Sequence, residues 1–96
     1  AVLVLEDWQA ARARGAEILA EFLGYGVSAD AHHLTQPRPD GEGAAMAMRR
    51  ALAEAGVTAD EIDYVNAHGT GTPQNDVVET RALKAVLGAR AAAVPV

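Results

Sequence analysis

The chain has 96 residues, a formal net charge of −5 from 13 acidic and 8 basic residues, and no cysteine. Its length permits one modest domain or part of one, and an apolar content rich in alanine predicts a thin core. The acidic balance, without basic runs interleaved with aromatic residues, excludes nucleic acid as a partner. The absence of cysteine excludes disulfides, thiolate-bound zinc and a thiol nucleophile within these residues.

Apolar segments of the chain are all shorter than the roughly 20 residues that span a bilayer. The N-terminal residues do not form a signal peptide. We therefore expect a cytoplasmic protein without a membrane partner. Apolar runs at both termini, residues 1–5 and 94–96, predict that the chain is an excerpt from a longer protein, because strands there would lack their pairing partners.

The first half of the chain begins with an apolar run at residues 1–5, which predicts a strand buried on both faces. Residues 6–14 predict a short helical turn that ends at Gly15. The local pattern of residues 16–26 favours a helix over a strand. Residues 27–43 contain few large apolar side chains, so we expect a long loop that could form one wall of a site.

The second half predicts two longer helices. The spacing of apolar residues indicates a helix over residues 42–55, capped by Asp40 and ended by Gly56. A second helix is predicted from about residues 73–76 to Gly88, with Thr72 or Asn75 as its cap.

Shorter features surround these helices. The spacing from Thr58 to Glu61 predicts a capping box. Residues 62–67 predict a strand that delivers His68 at its end, and with the following helix and a strand at residues 94–96 it would form a right-handed βαβ unit. The buried stripe of that helix is expected to contain Val78, Ala82, Leu83, Val86 and Leu87.

His68 is the main candidate for chemistry. A neutral imidazole can act as a general acid or base, or donate a hydrogen bond that stabilises an oxyanion. The alternative is a buried histidine whose hydrogen bonds are satisfied within the core and which has no chemical role. The flanking glycines and threonines of residues 69–72 favour a site, because glycine lets a substrate approach the backbone.

Other motifs have structural explanations. Gly69 and Gly71 suggest a phosphate loop, but Gln74 occupies the third glycine position, so phosphate binding is not favoured. Thr70 and Thr72 could bond a substrate amide or cap the following helix.

Two further groups of titratable residues also favour structure over chemistry. Asp30, His32 and His33 lack the spacing of a metal site, and we expect a solvated loop with no metal. Asp76 and Glu79 lie in the first turns of a predicted helix, where the helix dipole favours negative charge.

Residues 65–73, VNAHGTGTP, followed by Asn75-Asp76 and Glu79-Thr80, resemble the histidine motif of β-ketoacyl-(acyl carrier protein) synthases, the condensing enzymes of the thiolase fold. The resemblance also covers residues 1–6, 24–26 and 30–35.

The resemblance implies an α/β fold, as a fragment of a thiolase-like five-layer α-β-α-β-α arrangement. Residues 1–26 would be the last strands of its first half, 27–43 the substrate-side loop, and 44–96 the start of its second half. This implication replaces the local helix of residues 16–26 with a strand.

The resemblance also implies roles for five residues. His68 would be one of two catalytic histidines that bond the malonyl thioester carbonyl and stabilise the enolate formed on decarboxylation. Thr70 and Thr72 would bind the phosphopantetheine arm of the substrate, and Thr35 would line the same channel. Glu79 would be a buried glutamate that supports the site and pairs with a family lysine. No cofactor or metal is implied for this chain.

The implied activity is acyl transfer by decarboxylative Claisen condensation in fatty acid or polyketide elongation, with acyl carrier protein as the partner of a homodimer or ketosynthase heterodimer. The family's cysteine, lysine and second histidine lie outside these residues, so we expect the isolated chain to be inactive. The alternatives are a non-catalytic chain-length factor of a polyketide synthase, a small ligand-binding α/β module, and a thiolase that uses coenzyme A.

Overall fold

The structure is a computed structural model that describes residues 2–96. Three α-helices are joined by extended segments and loops, and two short 3₁₀ helices follow the second and third of them. The α-helices are α1 (Trp8–Ala13), α2 (Glu42–Ala55) and α3 (Pro73–Leu87), and the 3₁₀ helices are Ala59–Glu61 and Gly88–Ala92. No helix within residues 2–96 has both the length and the apolar character needed to cross a membrane.

Helix α2 has the predicted bounds. The Asp40 carboxylate accepts a hydrogen bond of 3.0 Å from the backbone N–H of Glu42, which satisfies one of the free donors at the helix start. Gly41 occupies the N-cap with φ 73°, and Gly56 ends the helix in the left-handed conformation with φ 68°. The predicted stop of α2 is therefore confirmed, whereas its N-cap is Gly41, and Asp40 bonds the helix start from the position before the cap.

Helix α3 begins at Pro73, and Thr72 is its N-cap. The Thr72 hydroxyl accepts a hydrogen bond of 3.3 Å from the backbone N–H of Asn75, so Thr72 and not Asn75 caps the helix.

The predicted capping box is also present, since the Glu61 carboxylate accepts from the backbone N–H of Thr58 at 2.7 Å. The short helix before Gly15 is confirmed as α1, with Gly15 at φ 70°.

Helices α2 and α3 pack against each other through very small residues. Ala45 on α2 and Ala82 on α3 are both buried. A Cβ added to Gly41 would lie 2.8 Å from the carbonyl oxygen of Val78, so glycine allows the start of α2 to approach the backbone of α3. Of the predicted stripe on α3, Ala82 and Leu87 are buried and the other members are partly buried.

The predicted strands do not form within residues 2–96. Residue 1 of the first predicted strand lies outside the described residues, and Val2, Leu3 and Val4 are 87–91% exposed. The other two predicted strands, residues 62–67 and 94–96, share one backbone hydrogen bond of 3.0 Å, from Val65 N–H to Pro95 C=O. A strand requires a ladder of such bonds, and the described residues offer these segments no further partner.

Residues 16–26 form neither the helix that the local pattern favours nor the strand that the resemblance implies. The end of this segment instead lies in contact with α2. A Cβ added to Gly26 would lie 2.0 Å from the carbonyl oxygen of Ala47, and the Tyr25 N–H donates to the Glu54 carboxylate at 2.9 Å. The absence of side chains at the glycines allows this close packing, which fixes where the following loop begins.

Candidate active site

The loops that precede α2 and α3 enclose a cleft of about 860 Å³. The cleft brings together four of the predicted site residues: Thr35 from one loop and His68, Thr70 and Thr72 from the other. These four side chains are exposed to the cleft and the surrounding solvent. The loops are neighbours because the helices that follow them pack together through Ala45 and Ala82.

Glu79 holds the turn that carries His68. One carboxylate oxygen, Oε1, accepts a hydrogen bond of 2.7 Å from the backbone N–H of His68. The other oxygen, Oε2, accepts from the backbone N–H of Gly69 at 3.0 Å and from Asn75 Nδ2 at 3.1 Å. Glu79 lies behind the turn, where it lines a smaller cavity of about 290 Å³ and not the cleft. It therefore supports the site without facing a substrate.

The charge state of Glu79 follows from competing effects. Partial burial raises the pKa of the carboxyl, but hydrogen bonds from Gly69, His68 and Asn75 and the charge of His68 outweigh burial. The pKa of Glu79 is therefore lowered from its ordinary value of 4.5. The group is a carboxylate at neutral pH, which makes its hydrogen bonds to the two backbone N–H groups charge-assisted.

The two threonines of the turn are linked to each other. Their hydroxyl oxygens lie 3.2 Å apart, within hydrogen-bond distance. Either hydroxyl can be the donor of this pair. Thr72 also accepts the helix-capping bond from the backbone N–H of Asn75, and when Thr72 donates its proton to Thr70, the Thr70 proton is available to a ligand. Thr72 therefore has a capping role that Thr70 lacks.

The glycines beside these threonines are required by the backbone. Gly69 has φ 56° and Gly71 has φ 71°, values in the left-handed region that residues with a Cβ rarely adopt. A Cβ at Gly71 would meet nothing within 4 Å. Conformation, not space, therefore explains the glycine at this position.

The opposite wall of the cleft is residues 28–37. His33 Nδ1 accepts hydrogen bonds of 3.2 Å from the backbone N–H groups of both Thr35 and Gln36, which fixes the position of Thr35. The Asp30 carboxylate accepts from the backbone N–H of Arg38 at 2.8 Å. Asp30 and His33 thus close the loop. No group of three or more potential metal-ligating side chains occurs in residues 2–96.

Sequence reasoning did not anticipate the roles of His33 and Asn75. The signal for His33 was local: its side-chain acceptor lies two residues before Thr35, and this is the spacing at which the side chain of an Asx-type turn accepts a hydrogen bond from the backbone. For Asn75 the signal was its position four residues before Glu79, which places both side chains on one face of a helix.

The chemistry available to this chain is hydrogen bonding, without a nucleophile. An imidazole and free hydroxyls that face one cleft can bond a carbonyl, an amide or a developing oxyanion. The chain has no cysteine and one serine, and that serine, Ser28, donates its hydroxyl proton to the carbonyl of Gly43 at 2.6 Å. A covalent step would need a nucleophile from outside these residues.

Residues 19–96 match the family described as beta-ketoacyl synthase, C-terminal domain. The chain belongs to the β-ketoacyl synthase family. The curated relatives include the mitochondrial 3-oxoacyl-(acyl-carrier-protein) synthase of Arabidopsis thaliana, which is 56% identical over 90 residues, covering 94% of this chain and 20% of the relative. The 3-oxoacyl-(acyl-carrier-protein) synthase 2 of Vibrio cholerae is 53% identical over 87 residues, covering 91% of this chain and 21% of the relative.

Solved ketosynthase structures share the backbone arrangement of the chain. One, described as a type II polyketide synthase acyl-carrier protein in complex with its ketosynthase bound to the hexaketide, has a TM-score of 0.86 and 40% identity, covering 90% of this chain and 21% of that one. The ishigamide ketosynthase/chain length factor has a TM-score of 0.79 and 51% identity over 84% of this chain and 20% of its own. The β-ketoacyl synthase chain thus spans about a fifth of the length of these relatives.

Proposed function

We propose that this chain is the part of a β-ketoacyl-(acyl carrier protein) synthase that carries one catalytic histidine. The whole enzyme would extend a fatty acid or polyketide by decarboxylative Claisen condensation of malonyl carrier with an acyl-enzyme thioester. The observation that carries this proposal is that Thr35, His68, Thr70 and Thr72 line one cleft. Family membership and the fixed His68 turn support it.

His68 would act on the malonyl thioester. When the bond from the α-carbon to the carboxylate breaks, CO₂ leaves and its electron pair moves into the thioester to form an enolate. A hydrogen bond from the imidazole N–H to the enolate oxygen would stabilise this charge, which appears only as the reaction proceeds. The His68 side chain needs no proton transfer for this step, and the Glu79 bonds keep the turn beneath it in place.

The condensation itself uses a cysteine from outside the 96 residues. The enolate carbon attacks the carbonyl of the acyl group on that cysteine, a carbon–carbon bond forms, and the thiolate leaves with the electron pair of the broken carbon–sulfur bond. Because the chain contains no cysteine, the isolated chain would form no acyl-enzyme.

The threonines would bind the arm that brings the malonyl group. A phosphopantetheine arm presents amide groups, and Thr70 and Thr35 line the cleft from opposite walls. The partner would be acyl carrier protein, in line with the ketosynthase complex described above. The ketosynthase would be a homodimer, or a heterodimer such as those with a chain length factor.

The architecture of the whole enzyme would be the five-layer α-β-α-β-α thiolase-like fold. In that fold residues 1–26 would complete the first half, residues 27–43 would form the substrate-side loop, and residues 44–96 would begin the second half. The exposure of large apolar residues in the extended segments supports this assignment, because a sheet would bury them; they include Val2, Leu3, Val4, Leu19 and Tyr64.

The test is His68→Ala in the complete synthase, with CO₂ release from malonyl carrier and acyl transfer to the enzyme thiol measured separately. We expect decarboxylation to fall about 10²–10³-fold, the usual effect of removing one oxyanion donor, while acyl transfer continues. His68→Gln, which retains an N–H donor, is expected to keep more activity than His68→Ala. Unchanged decarboxylation in His68→Ala would contradict the role of His68.

A chain-length factor is the second candidate, since one similar structure, 51% identical, is described as a ketosynthase/chain length factor and contains both kinds of subunit. Such a subunit shares the fold and lacks the cysteine. Mass spectrometry of the complete protein after incubation with an acyl donor separates the two candidates, because only a synthase gains the mass of a covalently bound acyl group.

A further inference from the structure

We propose that Asn75 is a positioning residue, whose side-chain amide holds the Glu79 carboxylate in the orientation that fixes the His68 turn. The inference rests on the proposed function, because it assigns to Asn75 an effect on the chemistry of His68. Nothing in the sequence motif requires a chemical role for this residue.

The first observation is that one carboxylate oxygen accepts two bonds. Glu79 Oε2 accepts from Asn75 Nδ2 at 3.1 Å and from the backbone N–H of Gly69 at 3.0 Å. The geometry leaves Oε1 directed at the N–H of His68, at 2.7 Å. Asn75 lies one helical turn before Glu79 and is partly buried, so it limits rotation of the carboxylate about its terminal bond.

The second observation is that Asn75 also contacts the other functional part of the turn. Its backbone N–H donates to the Thr72 hydroxyl at 3.3 Å, and that hydroxyl lies 3.2 Å from the hydroxyl of Thr70. Asn75 itself lines the cleft together with His68. A single residue therefore connects the support of the histidine with the threonine pair.

The charges around Glu79 explain why an uncharged donor suits this position. The His68 backbone N–H bonds the carboxylate from the loop, and the charge of His68 lowers the Glu79 pKa. Asp76 lies one turn earlier on the same helix and lines the same small cavity. A further carboxylate at position 75 would lie within hydrogen-bond distance of Glu79 and repel it unless the pair shared a proton.

The substitution Asn75→Asp in the complete synthase tests the positioning role. At pH 8 both carboxyls are ionised, and we expect kcat for malonyl decarboxylation to fall ten- to a hundredfold, the order of effect of a displaced catalytic group. As the pH falls towards 5, the pair takes up a shared proton that restores a hydrogen bond, so activity relative to wild type should rise. Asn75→Ala removes the donor without adding charge, and its smaller defect should not depend on pH.

Hydrogen exchange of residues 67–71 provides a second measurement on the same variants. We expect faster exchange of the His68 and Gly69 N–H groups in Asn75→Asp at pH 8, with exchange elsewhere unchanged, whereas a misfolded variant would exchange faster throughout. Equal pH profiles for Asn75→Asp and Asn75→Ala, with wild-type exchange at the turn, would overturn the inference. If the wild-type enzyme decarboxylates malonyl carrier, that result would overturn the role of Asn75 but not the proposed function. If the wild-type enzyme is inactive, the proposed function fails, and hydrogen exchange at residues 67–71 still tests whether Asn75 holds the turn.

Discussion

The Glu79 carboxylate accepts a hydrogen bond of 2.7 Å from the backbone N–H of His68, across eleven residues of chain. The bond connects the third helix to the turn that lines the cleft, and a second bond to Gly69 N–H makes the connection bidentate. Glu79 therefore acts on the position of the His68 backbone and leaves the imidazole free to face a ligand.

The contribution of Glu79 to stability is expected to depend on pH. Because the pKa of the folded carboxyl is lowered from 4.5, the contribution is fully present above the unfolded value and is lost as the pH falls through the folded value. Measuring the Tm of the complete protein from pH 7 to pH 3, with Glu79→Gln as the matched control, isolates this effect. The Tm curves of the wild type and of Glu79→Gln should converge as the pH approaches 3. A difference in Tm that stays constant from pH 7 to pH 3 would contradict the stabilising role of the Glu79 carboxylate.

Thr72 and Thr70 are expected to respond differently to loss of the hydroxyl. Thr72→Val removes the α3 cap and should lower stability by about 1 kcal/mol, whereas Thr72→Ser should retain most of it. Thr70→Val should leave the Tm nearly unchanged and raise KM for malonyl carrier, because a hydroxyl that lines the cleft and caps no helix is lost. Denaturant unfolding and steady-state kinetics of the three variants check this, and a stability loss in Thr70→Val equal to that in Thr72→Val would show that the assignment is wrong.

His33 is expected to affect substrate binding through Thr35. His33→Ala removes the acceptor of the Thr35 and Gln36 N–H groups, so the loop should loosen and KM for malonyl carrier should rise severalfold with a smaller change in kcat. His33→Asn is the matched control, because asparagine can accept a bond from a backbone N–H two residues on. If both variants showed the same kinetics, the acceptor at position 33 would not be the relevant property.

Two glycines on or beside α2 should tolerate alanine differently. Gly26→Ala places a Cβ 2.0 Å from the carbonyl oxygen of Ala47, and relief by backbone movement should cost about 1–3 kcal/mol. Because Gly26 lies two residues before the wall of the cleft, the activity should fall with the Tm. Gly56→Ala meets nothing within 4 Å and carries only the penalty of its positive φ, so the Tm should fall while kcat is retained. Equal losses of kcat would contradict this distinction.

The helices could be predicted from the sequence because their start and stop signals are local. Asp40 and Gly56 bound α2, and Thr72 with Pro73 starts α3, all within one turn of the residues they control. Likewise, the family resemblance implied that Thr35 and His68 lie at the same site, and both residues line one cleft in the structure.

The strands, and the backbone hydrogen bonds by which Glu79 supports His68, could not be predicted in the same way. A strand depends on partners elsewhere in the chain, and residues 2–5 and 62–67 have no ladder in the described structure. The motif implied that Glu79 pairs with a lysine, yet within residues 2–96 its carboxylate forms no ion pair and instead bonds backbone N–H groups. That lysine pairing stays a prediction for residues outside the chain.

The close contact between α2 and α3 has a consequence for the width of the cleft. The two walls of the cleft are the loops that precede α2 and α3. These helices meet at Gly41 and Ala82, and the larger of these two side chains is a methyl group. Little space is left between the helices there, because a Cβ added to Gly41 would lie 2.8 Å from the carbonyl oxygen of Val78. Because Ala82 does not line the cleft, a larger side chain at position 82 would act as a spacer that separates the two walls from a distance.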